Sequence, residues 1–102
     1  MKYTLIFLDT ETTGNTEKDF LCQVAYKVGS EIMCELFKPP VRIPPEASAV
    51  SHITNNMVVD KPVFKESLFY PPLKTLLEKE ESILVAHNAF FDVGMLKKEG
   101  LE

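Results

Sequence analysis

The sequence is poor in most of the features that announce a specialised protein class. Its two cysteines, Cys22 and Cys34, stand twelve positions apart, form no C-x-x-C pair and lack any supporting histidine pattern. A zinc site or a disulfide framework is therefore not expected, and both thiols should be buried and reduced. Long hydrophobic runs are missing as well. Leu5 to Leu8 is far too short for a secretion signal or a membrane span, so the cytoplasm is the expected compartment. There is no repeat, no low-complexity tract, and neither a P-loop nor a nucleophile-elbow pattern. Positive charge is not in surplus: 15 acidic against 11 basic side chains give a net charge of -4. That argues against a generally basic nucleic-acid coat protein but leaves a local nucleic-acid site open, because patches matter more than totals.

What is present is ordinary for a globular protein: 102 residues, 45% hydrophobic and 25% charged. This length supports one domain at most. Folding a chain of this mass buries roughly 65% of its extended surface, enough for a small core.

Tyr3 to Leu8 is a nearly continuous apolar run, which predicts a strand covered on both faces in the middle of an α/β sheet. A turn at Gly14-Asn15 leads to a second strand over Phe20 to Val28. Gly29-Ser30 then signals a hairpin into a third strand, Glu31 to Phe37. These three should form an antiparallel meander. Pro39-Pro40 stops the sheet, Glu46 to Val50 suits a helical turn, and Thr54 suits the N-cap of a short helix through Val58. Pro71-Pro72 opens a helix whose apolar stripe is Leu73, Leu76 and Leu77. Ser82 to Ala86 should be a strand parallel to an earlier one, and Asn88 should cap a last helix carrying Phe90, Met95 and Leu96. The order βββ-α-β-α predicts an α/β fold with a mixed sheet and helices on its faces.

Asp9 and Glu11 are two apart on the first strand, so both side chains leave the same face. Neighbouring carboxylates at the end of a buried strand repel each other, and a hard divalent cation such as Mg²⁺ or Mn²⁺ would supply the counter-charge. The plainer reading is a solvated strand end, and D-x-E by itself is a weak signal.

Longer words surround this pair. Phe7 to Gly14 reads F-L-D-T-E-T-T-G, and Ala86 to Asp92 reads A-H-N-A-F-F-D. They resemble the first and second motifs of the DnaQ-like (DEDDh) 3′–5′ exonucleases, which have the ribonuclease H-like fold. Ile43 to Thr54, I-P-P-E-A-S-A-V-S-H-I-T, is similar to the segment between them in bacterial proofreading-subunit relatives, the epsilon subunits of DNA polymerase III. The resemblance implies phosphodiester hydrolysis from a 3′ end by two metal ions, about 3.5–4 Å apart. It implies that Asp9 bridges both ions, that Glu11 holds the one activating water, and that Asp92 contributes from the last helix. It also implies substrate contacts at Thr12, Thr13, Glu46 and Phe91. His87 and Asn88 read as structural, and Phe91 also suits plain core packing. One departure touches His52: relatives commonly carry histidine where this chain has Ser51, and His52 follows it as a weaker substrate candidate.

The family's third motif, histidine followed five residues later by aspartate, does not occur after Asp92. The resemblance then implies that residues 1–102 are the N-terminal part of one exonuclease domain, with three of four metal carboxylates and no general base. Such a chain is expected to be inactive by itself. Its strand at Ser82 to Ala86 would be an exposed edge that favours dimers or aggregates. Nothing in the sequence says whether Leu101-Glu102 are native. The expected substrate is the single-stranded 3′ end of DNA, with a DNA polymerase partner by analogy. An RNA-trimming exonuclease of the same fold and a non-catalytic binding module are the alternatives. An aspartyl phosphatase fails, because its D-x-D motif needs aspartate where Glu11 stands.

Overall fold

The computed structural model describes residues 3–16 and 18–101. Four strands, β1 (Thr4–Thr12), β2 (Leu21–Val28), β3 (Glu31–Leu36) and β4 (Ser82–Ala86), form one sheet in the order β3-β2-β1-β4. The first three make the antiparallel meander and β4 runs parallel to β1, so the sheet is mixed, as the sequence predicted. The β2–β3 hairpin pairs Val28 with Glu31 across Gly29 and Ser30, and Gly29 takes the positive φ of 58° that a two-residue turn needs. The helices are α1 (Pro45–Ser51), α2 (Asn55–Val58), α3 (Tyr70–Leu77) and α4 (Ala89–Lys98), with a 3₁₀ turn at Phe64–Glu66.

The core lies under one face of the sheet. Ile6 and Leu8 from β1, with Val24 and Tyr26 from β2, meet Leu73 of α3 and Met95 and Leu96 of α4. Phe37, Phe64, Phe69 and Tyr70 interlock there edge to face. Their ring centroids lie 4.9 Å (Phe37–Phe64), 5.3 Å (Phe37–Phe69) and 5.3 Å (Phe64–Tyr70) apart, the arrangement that aromatic quadrupoles favour. Leu101 is buried beside them, and the Tyr70 hydroxyl donates to the Glu99 carbonyl at 2.5 Å, so the end of α4 is tied to α3. A second cluster of Cys22, Ile43, Ile53 and Val58 seats α1 and α2.

Three expectations need correction. The first strand is not covered on both faces: Ile6 and Leu8 are buried, but Leu5 and Phe7 are 45% and 48% exposed, and Ile83 and Val85 beside them are exposed too. The described helices that build the main core pack on the Ile6 side. Cys22 is buried as expected but Cys34 is exposed, because it lies on the edge strand β3 and pairs with Ala25 on the uncovered face. Asn88 does precede α4, yet it caps through its backbone carbonyl, which accepts from the Asp92 N–H at 3.0 Å, and not through its side chain. Of the three apolar residues named on α4, Met95 and Leu96 are buried and Phe90 is exposed.

Candidate active site

The last residues of β1 run past the end of β4 towards the start of α4, and α1 contacts β1 as well. Between them opens a cleft of about 550 Å³. Asp9, Glu11 and Asp92 all line it, together with Thr12, Thr13, Glu46, Phe91 and His87. The alternation of β1 sends Asp9 and Glu11 to one face and Thr10 to the other. There the Thr10 hydroxyl donates to Asp92 Oδ1 at 2.5 Å, a bond between residues 82 positions apart. Asp92 is thus buried at 4% exposure, not a surface carboxylate in the first turn of its helix.

The electrostatics of the three acids are unfavourable. Burial pushes the Glu11 carboxyl above the usual range, and the charges of Asp9 and Asp92 push it further while His52 opposes them. Burial likewise raises Asp92, against the hydrogen bond from Thr10; Asp9 adds to the rise and His87 opposes it. Carboxylates raised by burial and by neighbouring negative charge, as Glu11 and Asp92 are, form the kind of cluster found where chemistry is done. The donor set, three carboxylates, suits a hard divalent cation in type. Among the described residues, no three His, Cys, Asp or Glu side chains stand close enough to enclose an ion as they are.

The turn after β1 is built tightly. Thr13 is buried, and its hydroxyl donates to Asp19 Oδ1 at 2.8 Å and accepts from the Phe20 N–H at 3.1 Å. Asp19 Oδ2 accepts from the Thr16 N–H and hydroxyl at 2.9 and 2.7 Å. Burial works against the Asp19 charge, but these bonds from Thr16 and Thr13, with the Lys98 charge, hold its carboxyl below the usual range. A side chain on Gly14 would put its Cβ 2.5 Å from that carboxylate and force it to shift. Lys98 of α4 closes the far side, donating to the Asp19 carbonyl and lying 4.5 Å over the Phe20 ring. The Thr12 hydroxyl is turned onto the Gly14 carbonyl.

Of the sequence candidates, Asp9, Glu11, Asp92, Thr12, Thr13, Glu46 and Phe91 all reach the cleft. His52 does not line it. It ends α1 as an exposed residue at φ 64°, a left-handed conformation uncommon outside glycine, and acts on Glu11 only through its charge. Phe91 serves both readings, lining the cleft and packing on the core. Sequence reasoning passed over Thr10 and Asp19. The second had a signal, since Thr16-x-x-Asp19 is the spacing of a reciprocal cap. The first had one only in the alternation of β1, which aims Thr10 away from its two acidic neighbours.

The exonuclease family RNase_T matches residues 6–101 of this sequence. The chain belongs to this exonuclease family. It is 37% identical over 99 residues to DNA polymerase III subunit epsilon of Treponema pallidum, a match spanning 89% of this chain and 43% of that protein. With DNA polymerase III PolC-type of Clostridium perfringens it shares 36% identity over 99 residues, 91% of this chain and 7% of the relative. The chain therefore spans less than half the length of these relatives. Among solved structures, exonuclease X in complex with 5′ overhanging duplex DNA superposes with a TM-score of 0.69 at 31% identity, covering 89% of this chain and 52% of the other. Apo exonuclease I gives a TM-score of 0.80 at 21% identity over 97% of this chain and 24% of its own, which shows a shared ribonuclease H-like fold. No helix among the described residues is long and apolar enough to cross a membrane.

Proposed function

We propose that the cleft binds the 3′ end of a single DNA strand and hydrolyses its terminal phosphodiester bond, releasing nucleoside monophosphates. The observation that carries this reading is the gathering of Asp9, Glu11 and Asp92 in one cleft of an exonuclease-family chain. DNA is favoured over RNA because the relatives are named as DNA polymerase III subunits and as an exonuclease with duplex DNA. A polymerase partner follows by the same analogy.

In this reading Asp9, Glu11 and Asp92 hold divalent cations, Mg²⁺ or Mn²⁺, two in the complete site. Such ions supply Lewis-acid polarisation of the phosphodiester and a more acidic water. The protein's own residues do the rest. Asp9 and Glu11, fixed on a paired strand, present oxygens with little freedom to lose. Glu46 and Phe91 border the space for the last nucleotide, with the Phe91 ring offering a face to sugar or base. Thr12 and Thr13 have hydroxyls committed to the turn, so this segment serves the nucleotide through its shape. His87 is the one histidine among the cleft's lining residues, and no histidine follows Asp92 in these 102 residues. We therefore expect residues 1–102 alone to bind cation and DNA end while losing at least the roughly 10²–10⁴-fold that a placed base contributes. Among the described residues the outer edge of β4 pairs with no strand, and β4 carries exposed Ile83 and Val85, so self-association should rise with concentration.

The test incubates the chain with 3′-labelled single-stranded DNA and Mg²⁺ or Mn²⁺, beside Asp9→Ala. Weak or absent release, with Mn²⁺ bound by the parent and not by Asp9→Ala, is the expected result. Brisk release that the substitution abolishes would support the activity and overturn the need for further residues. Neither release nor Mn²⁺ binding would overturn the reading altogether. Repeating the assay with labelled RNA separates the two substrates.

A further inference from the structure

We propose that Thr10 is a positioning residue for the acid cluster: its hydroxyl clamps Asp92 Oδ1 to β1 and so fixes how that carboxylate meets a divalent cation. The inference rests on the reading of the cleft as a cation site. Thr10 sits between Asp9 and Glu11 in sequence but on the other face of the strand, so it does not join them as a ligand. Its face is the one that α4 packs against, and the 2.5 Å bond to Asp92 Oδ1 crosses from strand to helix. It is the hydrogen bond that ties the acid of α4 directly to the strand bearing the other two.

Three observations make this more than a packing contact. Asp92 is 4% exposed, so its orientation is set by protein atoms and not by water. The bond commits Oδ1 to β1, which sets the plane in which the carboxylate faces the cleft that it lines. Thr10 and Asp92 also belong to different elements, β1 and α4. The hydroxyl therefore couples the approach of α4 to the geometry of the acids. A β-branched residue is stiff at χ1, so the donor is preset and loses little freedom in making the bond.

The test compares Mn²⁺ affinity, measured by titration calorimetry, in the parent chain, Thr10→Val and Thr10→Ser. Valine keeps the shape and strand preference and removes the donor; serine keeps the donor. Outer partners of metal ligands are typically worth 10–100-fold in affinity, so Thr10→Val should bind Mn²⁺ about tenfold or more weakly while Thr10→Ser stays within about threefold of the parent. The Mn²⁺-dependent rise in melting temperature should shrink in the same order. Should valine disturb β1 in circular dichroism, Thr10→Ala carries the same comparison. Equal affinity in the parent and the donor-less variant, or equal loss in serine and valine, would overturn the positioning role alone. A parent that binds no Mn²⁺ would overturn the cation reading and this inference with it.

Discussion

In the core, Phe64 meets Phe37, Phe69 and Tyr70 at centroid separations of 4.9, 6.3 and 5.3 Å, and each contact supports the next. In the cleft, Asp9, Glu11 and Asp92 stand where burial and mutual repulsion raise Glu11 and Asp92. Both regions rest on β1, whose Ile6 and Leu8 enter the core while its Asp9 and Glu11 enter the cleft. One end of the strand lowers the free energy of the fold and the other end spends part of it. Acids brought this close together hold their places because the neighbouring packing over-determines where they sit.

The sharpest way to break this comparison is to remove the support. Phe64→Ala should cost about 3–5 kcal/mol, a large share of the stability of a chain this size, and urea melts should find little folded protein. Cation binding should vanish with the fold, although Phe64 does not line the cleft. Next in size is Gly14→Ala, where the new Cβ meets the Asp19 carboxylate at 2.5 Å. Overpacking there should cost about 1–3 kcal/mol in a urea melt, with the turn between β1 and β2 disturbed.

The acids should respond with the opposite sign. Glu11→Gln and Asp92→Asn each relieve repulsion, so without added cation they should raise the melting temperature while weakening Mn²⁺ binding by more than about tenfold. A fall in melting temperature would mean that the cluster is not strained. The pH dependence sharpens the same point. Because Glu11 and Asp92 hold their protons more tightly folded than unfolded, their contribution to stability should decline as pH rises from the ordinary carboxylate range through their raised values. Asp19 runs the other way. Its lowered pKa stabilises the fold above the ordinary range, and that contribution is lost as pH falls through the lowered value. Urea melts across acidic pH should show the first slope flattened in the Glu11→Gln, Asp92→Asn double variant and the second removed in Asp19→Asn.

The smallest effect concerns the sheet's two faces and leaves stability almost unchanged. A thiol reagent should label Cys34 at once and Cys22 only on unfolding. Cys34 is exposed on β3, whereas burial, with the nearby Glu11 charge, pushes the Cys22 thiol to about 11. Equal rates would mean that the second core cluster opens readily.

The four strands and the order of the helices were legible because each announces itself locally. Gly29-Ser30 forces a hairpin, Pro71 and Pro72 suit only a first helical turn, and the Leu73, Leu76, Leu77 stripe has helical period. The acids were legible for the same reason, standing in short words of fixed spacing. Coverage was not legible. The run from Tyr3 to Leu8 is apolar on both faces whether or not anything packs there, and Leu5 and Phe7 show that nothing among the described residues does. The position of His52 was not legible either: Ser51 lines the cleft while His52 ends α1 in a left-handed conformation, and no local pattern in the sequence marks that change.

By itself, then, the sequence put Asp9 and Glu11 on one strand face and Asp92 about one turn into a helix. Only the tertiary structure decided that Thr10 would hold Asp92, that the Asp19 carboxylate would crowd Gly14, and that one sheet face would stay open. The physical reason is range. Periodicity and turn chemistry act over a few residues, while the Thr10–Asp92 bond joins positions 82 apart and exists only once β4 and α4 have docked against β1.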